Sequence, residues 1–151
     1  SNQSNAIAIG TETEATVPNS VAFSNGAKAS KWGSIAFGSS SVSDANGSVA
    51  VGSSSEAHGA NSIAIGNQAV KSKENSVVIG GYTYKGTTGT GVGQQIQVLG
   101  NYSAGFGMAA KANVERATAI GSYANALAAG SVALGAGSTA SREAGFQGYI
   151  L

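Results

Sequence analysis

Residues that could carry acid–base or metal chemistry are few in this sequence and stand far apart. The 151 residues include one histidine, His58, and one aspartate, Asp44. His58 lies in a polar segment with no pattern of metal ligands near it, so we interpret it as a surface residue. Asp44 lies in the turn-like segment Ser-Asp-Ala-Asn-Gly, where aspartate commonly stabilises the turn. Neither residue is predicted to act in catalysis or to bind a metal.

The carboxylates of Glu12 and Glu14 are two residues apart and would share one face of a strand, as a general acid–base pair could. No base, nucleophile or metal ligand is near them in the sequence, so a solvated strand edge is the better interpretation. The glycines from Gly86 to Gly93 lack the spacings of phosphate-binding loops and indicate a flexible loop. We therefore predict no enzyme activity, no catalytic residue, no metal and no cofactor.

The sequence around these residues is organised as a 14-residue repeat. Each repeat contains a six-residue motif, which we call the repeated phrase: an apolar strand that ends at a glycine, as in Asn61-Ser62-Ile63-Ala64-Ile65-Gly66. The same phrase begins at residues 5, 33, 47 and 75 and again at 116 and 130. A polar stretch with alternating small residues follows each copy and indicates a second strand. One short period with two strands predicts an all-β, parallel β-roll (a solenoid) of about nine to ten coils, about 45 Å long.

Alternation within the first strand of each coil separates two faces. We expect the large residues at the third and fifth positions to point into the roll and the fourth position to point outward. The predicted core residues are Ile7, Ile9, Ile35, Phe37, Val49, Val51, Ile63, Ile65, Val77, Ile79, Ile120, Val132 and Leu134. The predicted outward file is Ala8, Ala22, Ala36, Ala50, Ala64, Val78, Ala119 and Ala133. Because small residues let another backbone come close, we interpret this file as a subunit interface.

The repeat is lost once, between Gly80 and Gly107, which are 27 residues apart and thus one short of two periods. We predict that residues 1–143 form the roll, with a non-repeat insertion at about 81–101 that protrudes as a loop or hairpin. Within it, Gln95–Leu99 alternates like a strand. Residues 144–151 depart from the repeat and are predicted to lead into a further module.

Two segments have residue types that are typical of protein recognition. Lys31 and Trp32 fall where the period predicts a turn, and exposed tryptophan is favoured in binding hot spots. Packing of Trp32 over a neighbouring coil or across a subunit contact is the alternative. Tyr82, Tyr84 and Lys85 lie in the predicted insertion, and irregular loops on a rigid scaffold often carry recognition. These five residues are the predicted ligand-binding positions.

Composition limits the classes of partner. Only 10% of the residues are charged and the net charge is +1, which gives no electrostatic reason to expect nucleic acid or an anionic membrane. The absence of cysteine excludes disulfides. No apolar run approaches a membrane span and no signal peptide opens the chain, so we expect no direct membrane contact by this fragment. Any anchor of the intact protein would lie outside it.

The repeated phrase, its 14-residue spacing and the trailing small-residue strand closely resemble the YadA-like head of trimeric autotransporter adhesins, over residues 5–80 and 102–143. The resemblance implies a left-handed roll and a homotrimer about one axis. It also implies a coiled-coil stalk, an outer-membrane β-barrel anchor and display at the bacterial cell surface. Heads of this family mediate attachment to host matrix proteins, host cells or other bacteria.

Three other classes of solenoid protein compete with an adhesin head. A purely structural spacer would have the same repeat. An acyltransferase of the left-handed-helix type would need a hexapeptide period and a working histidine, and 14 is not a multiple of six. An ice-binding solenoid would need a flat file of threonines, which the scattered Thr87, Thr88 and Thr90 do not form. An adhesin head that binds a partner protein through many copies of weak sites is therefore the leading prediction.

Overall fold

The computed structural model describes residues 5–71, 74–80 and 89–142, and every regular element among these residues is a β-strand. The longer strands are β1 (Ile7–Ile9), β3 (Val21–Phe23), β5 (Ile35–Phe37), β7 (Val49–Val51), β9 (Ile63–Ile65), β11 (Val77–Ile79), β12 (Gly89–Val92), β13 (Ser103–Phe106), β15 (Thr118–Ile120) and β17 (Val132–Leu134). The shorter strands are β2 (Glu14–Ala15), β4 (Lys28–Ala29), β6 (Val42–Ser43), β8 (Glu56–Ala57), β10 (Val70–Lys71), β14 (Lys111–Ala112), β16 (Asn125–Ala126) and β18 (Thr139–Ala140). The two sets form the two walls of a solenoid.

All described strand pairings are parallel and join a strand to its equivalent in an adjacent coil. The longer strands form one ten-stranded sheet, and the shorter strands form sheets of five and three strands. The register advances by one repeat per coil, so that Ala36 lies opposite Ala50 and Ala50 lies opposite Ala64. The predicted all-β parallel roll is confirmed, and its ten-stranded sheet agrees with the predicted number of coils.

The two faces of the longer strands are the reverse of the predicted assignment. The predicted outward file is buried within one chain: Ala22, Ala36, Ala50, Ala64 and Ala119 are fully buried, Ala133 and Val78 nearly so, and Ala8 half-buried. The predicted core residues that are exposed instead are Ile7, Ile9, Phe37, Ile79, Ile120, Val132 and Leu134. The others, which are half-buried, are Ile35, Val49, Val51, Ile63, Ile65 and Val77. The predicted orientation was therefore wrong along the whole sheet.

The reason is the width of the coil. Two short strands and two tight turns in 14 residues bring the walls so close that only small side chains fit between them. Four files of such side chains fill the interior, two from each wall. The first wall contributes Ser20, Ser34, Ser48 and Ser62 together with the alanine file, and the second contributes Ala27, Ser41, Ser55 and Ala69 together with Ala15, Ala29, Ser43 and Ala57. We call these files the small-residue core.

Three positions of the repeated phrase, the first, the second and the last, have a local physical reason. Asn61 adopts φ 54°, a left-handed conformation that asparagine tolerates. At the second position of an earlier copy, the buried Ser34 hydroxyl donates to the carbonyl oxygen of Lys31 at 2.6 Å and closes the turn. Gly66 has φ 132°, and a Cβ there would lie 2.3 Å from the carbonyl oxygen of Gly80 in the next coil. The final glycine is thus required by both backbone conformation and stacking.

The segment predicted as an insertion continues the roll from residue 89 onward. Strand β12 pairs with β11 on one side and β13 on the other, and Gln97 forms a parallel bridge with Lys111 in the second wall. The protruding loop or hairpin was therefore wrong for residues 89–101, and Gln95–Leu99 forms only that single bridge. Residues 81–88 and 143–151 lie outside the described residues, so the rest of the insertion and the 144–151 boundary stay predictions.

Candidate protein-binding surface

The outer face of the ten-stranded sheet carries two files of large apolar side chains, which we call the apolar stripe. The first file comprises Ile7, Val21, Ile35, Val49, Ile63, Val77 and Val132, interrupted by Thr90, Ala104 and Thr118. The second comprises Ile9, Phe23, Phe37, Val51, Ile65, Ile79, Val92, Phe106, Ile120 and Leu134. Contiguous apolar surface on this scale marks a protein interaction site.

Side chains within the stripe are ordered by the register of the sheet. Phe23 and Phe37 lie opposite each other in adjacent strands, and their rings stack with centroids 4.8 Å apart and planes within 5°. Ile9 remains 52% exposed and Leu134 70% exposed in the single chain. The stripe is therefore a preformed apolar surface with its side chains aligned along the roll.

The alanine file lies on the opposite side of the same strands. Ala50 and Ala64 have no exposed surface in one chain, so they have none left to offer to a second chain. The premise for a subunit interface at these alanines is removed, and the apolar stripe is the surface of these strands that another subunit could contact. Sequence alternation identified both faces but did not show which one the narrow coil would enclose.

Lys31 and Trp32 are both exposed at the turn before β5. Trp32 is 61% exposed, while its carbonyl oxygen accepts a 2.9 Å hydrogen bond from the backbone N–H of Gly47 in the next coil. The backbone at this turn is thus held in place while the indole faces outward, which excludes the alternative that Trp32 packs over a coil of its own chain. Tyr82, Tyr84 and Lys85 lie outside the described residues, and their role in binding stays a prediction.

Sequence reasoning did not single out two exposed tyrosines in the C-terminal half. Tyr102 and Tyr123 are 74% and 62% exposed and adopt φ 57° and 59° at two different turns of the coil. The position of Tyr102 is asparagine or glycine in most other coils, whereas the residue type at the position of Tyr123 varies. The backbone N–H of Tyr123 donates a 2.8 Å hydrogen bond to the backbone carbonyl oxygen of Met108. The side chain of Met108 is also exposed. Their place in the 14-residue period was the signal that could have identified them as turn residues.

The predicted carboxylate pair is not brought together on a strand. Glu12 lies in a turn with φ 55°, and only Glu14 belongs to β2. Glu14 forms an exposed ion pair with Lys28 of the next coil, with 3.3 Å between Oε1 and Nζ. Glu12 and Glu14 are thus exposed surface residues, and they do not form a general acid–base pair with each other.

His58 has two acidic neighbours, which we call the His58 cluster. Its Nδ1 lies 2.8 Å from Oδ1 of Asp44, one coil away, and its Nε2 lies 2.9 Å from Oε2 of Glu56 on β8. Partial burial of the ring acts to lower the pKa of His58, but the hydrogen bonds and the negative charges of Glu56 and Asp44 outweigh it and raise the pKa above 6.5. The carboxylates occupy opposite sides of the ring, so they do not converge on one ion. Among residues 5–71, 74–80 and 89–142, no group of three or more acidic or histidine side chains is arranged to hold a metal.

Over the same described ranges, no helix has the length and apolarity of a membrane span.

Comparison with solved structures found similarity to the crystal structure of the collagen-binding domain of Yersinia adhesin YadA. The two share 20% sequence identity and superpose with a TM-score of 0.49, covering 99% of this chain and 74% of that chain. Comparison with curated proteins returned no match.

A family profile described as YadA head domain repeat (2 copies) matches most of the sequence. The matched residues are 2–23, 29–55, 57–83, 99–124, 115–138 and 126–143. These segments cover well over half of the chain and include the repeated phrases that form the ten-stranded sheet. The chain therefore belongs to the YadA head domain repeat family and is an adhesin-type head domain.

Proposed function

We propose that this head domain attaches a bacterium to a host matrix or cell-surface protein, or to other bacteria, as part of a homotrimer. The match to the YadA head domain repeat family supports the attachment role. The observation that carries the homotrimer is the apolar stripe, which runs along all ten longer strands of the solenoid. The family is non-enzymatic in general, and we assign the chain a binding role without catalysis. Display at the cell surface would depend on an outer-membrane anchor in parts of the protein beyond this sequence.

Burial of the stripe between subunits supports the trimer. The small-residue core contains mostly alanine and serine, whereas the larger side chains that normally stabilise a fold lie outside it. Full burial of a valine, isoleucine or phenylalanine contributes about 1.5–3 kcal/mol, so each coil would gain from meeting other subunits. Three parallel rolls with their stripes facing a common axis would provide this burial in every coil.

Two valines of adjacent strands provide a matched test of the assembly. Val49 of β7 lies in the apolar stripe, and Val42 of β6 lies on the outer face of the other wall; both are half-buried. Val49→Glu would place like charges from three chains together and weaken association, while Val42→Glu would leave it intact. Sedimentation equilibrium is the measurement. A monomeric parent protein, or equal trimer loss in both variants, would contradict the proposed interface.

A partner would then meet the surfaces that the trimer axis leaves open. Trp32 and Tyr102 stand out at turns, and the predicted binding residues Tyr82, Tyr84 and Lys85 belong to the one segment that the repeat does not require. Identical sites on three stiff rolls can act together, so an extended or surface-bound partner would gain avidity from weak individual contacts. Because the net charge is only +1, attachment is expected to persist from low to physiological salt.

Attachment is tested by binding of the purified protein to immobilised collagens, fibronectin, laminin and epithelial cells. Since β12 at Gly89–Val92 is part of the sheet, the insertion is probed by replacing Tyr82, Tyr84 and Lys85 with alanine rather than by a deletion. We expect reduced attachment with the trimer retained, and Trp32→Ala serves as the comparison at a regular turn. Unchanged attachment in the triple variant would move the site to the coil faces, and no attachment of the parent to any surface would favour the structural spacer.

A further inference from the structure

The His58 cluster joins two successive coils through side chains alone. Asp44 follows β6, while Glu56 and His58 lie on and just after β8, which pairs with β6. The imidazole is placed between the two carboxylates, with 2.8 Å from Nδ1 to Asp44 and 2.9 Å from Nε2 to Glu56. About a third of the His58 side chain is exposed, so protons reach it from solvent.

Both contacts can be hydrogen bonds only when the ring is protonated. An ionised carboxylate accepts hydrogen bonds and donates none, whereas a neutral imidazole has one N–H donor and one lone pair. With a neutral ring, one of the two carboxylates would face that lone pair and repulsion would replace the bond. The imidazolium has two N–H donors and satisfies Asp44 and Glu56 together. The geometry of the cluster is thus that of the charged ring.

The flanking strands contribute no competing charge among their described side chains. Glu56 lies in register between Val42 of β6 and Val70 of β10. Further along the same sheet, Lys28 is already paired with Glu14 at 3.3 Å. The described charged groups around the ring are therefore Asp44 and Glu56, and both favour its protonated form.

We propose that Asp44, Glu56 and His58 form a proton-dependent clamp between successive coils, which holds them more tightly as the pH falls. Below pH 6.5, histidine is mostly protonated even in the unfolded chain, and the stabilisation by the clamp is fully present. It is lost as the pH rises through the folded-state pKa of His58, which lies above 6.5. Above that value the ring retains one donor, and two nearby carboxylates repel each other. The clamp acts independently of which partner the head binds.

The chain has one histidine, so its NMR signal reports this site without assignment ambiguity. Titration of the whole folded protein is expected to give a pKa above 6.5, and the protein in denaturant supplies the unfolded reference. Asp44→Asn and Glu56→Gln should each lower the measured pKa. A parallel thermal-unfolding series should show that the parent gains more in Tm than His58→Gln between about pH 8.5 and about pH 5.5.

A folded-state pKa at or below the denatured reference would overturn the clamp. So would a pKa that neither Asp44→Asn nor Glu56→Gln changes, or an equal pH dependence of Tm in the parent and His58→Gln. The titration of the parent needs no variant, so the test stands even if a substitution impairs folding. Glu115→Gln removes an exposed carboxylate several coils along the roll from His58 and is a matched control that should leave the titration of His58 unchanged.

Discussion

The regular coils and the coil around β12 fill the same interior in opposite ways. In the regular coils, Ala50 and Ala64 of the first wall lie over small residues of the second wall. Around β12, Ile96 and Val98 are buried in the second wall, and the first wall has Gly91 and Gly105 instead of alanine. The comparison shows that the roll conserves the summed volume of both walls rather than the residue type at each position.

The two regions also use glycine for different reasons. A Cβ on Gly66 would collide with the backbone carbonyl of Gly80, at 2.3 Å. A Cβ on Gly91 would meet the terminal Cδ1 of Ile96 at 2.4 Å, and one on Gly105 would meet Cγ2 of Val98 at 2.6 Å. A second substitution can shorten a side chain that meets the new Cβ, but it cannot remove a backbone atom. Substitution of the final glycine in a regular coil should therefore be destabilising whatever the next coil contains. In the β12 coil, a smaller residue at position 96 should offset the effect of substituting Gly91.

The largest expected effect is at the stacked glycines. Gly66→Ala combines a φ of 132° with the 2.3 Å backbone contact, and we expect it to lower the free energy of unfolding by roughly 3 kcal/mol or more. Gly33→Ala is the control, because Gly33 also has a positive φ of 63° but the nearest atom to its new Cβ, the Cα of Gly47, would lie 4.0 Å away. Its loss should be roughly 1–2 kcal/mol, from backbone strain alone. Urea denaturation checks both, and equal losses would contradict the stacking explanation.

A smaller effect is expected for Gly91→Ala, which overpacks the interior and should cost about 1–3 kcal/mol. Ile96→Val removes the Cδ1 atom that the new Cβ would meet and by itself should cost about 0.5–1.5 kcal/mol. The double variant should be more stable than the sum of the two losses predicts, since each change relieves the other. A denaturation double-mutant cycle measures this coupling. Strict additivity would show that the two walls do not compensate each other.

The smallest effect separates two buried serines of the same file. The Ser34 hydroxyl donates to Lys31 at 2.6 Å, whereas the buried Ser62 hydroxyl has no hydrogen-bond partner among the described residues. Ser34→Ala should therefore cost about 1 kcal/mol, and Ser62→Ala should be close to neutral. Thermal unfolding of the two variants provides the measurement. If Ser62→Ala lost more stability than Ser34→Ala, packing rather than the turn hydrogen bond would explain why serine occupies this file.

The period of the sequence was sufficient to predict the parallel sheet and its one-repeat register. It could not assign the inner face, because alternation separates the faces of Ile63-Ala64-Ile65 without giving the distance between the walls. The usual rule that large apolar residues lie inside then led to the wrong choice. The sequence did not predict the β12 coil for a related reason. Thr90-Gly91-Val92-Gly93 lies in register with the repeated phrase, but it has Gly91 where the phrase has alanine, because the side chain of Ile96 fills that space.

Less of the candidate surface was predictable. Exposure of Trp32 at a turn was one of the two interpretations that the sequence left open. The contact of His58 with Asp44 could have been found by comparing positions 14 residues apart. The second contact, with Glu56, depends on the rotamers of both side chains, which the sequence does not specify. The apolar stripe was present in the sequence as a pattern, and only the width of the coil decides that it faces outward.

Constant register between coils has a genetic consequence. Each strand pairs only with its equivalents one coil before and one coil after, so a whole coil can be duplicated or lost without changing the partners within any other. Even the 13-residue step from Gly80 to Gly93 leaves 14-residue steps on both sides. A gain or loss of 14 codons would alter the length of the roll by roughly 4.8 Å. Recombination between repeats can thus lengthen or shorten the roll in small, uniform increments.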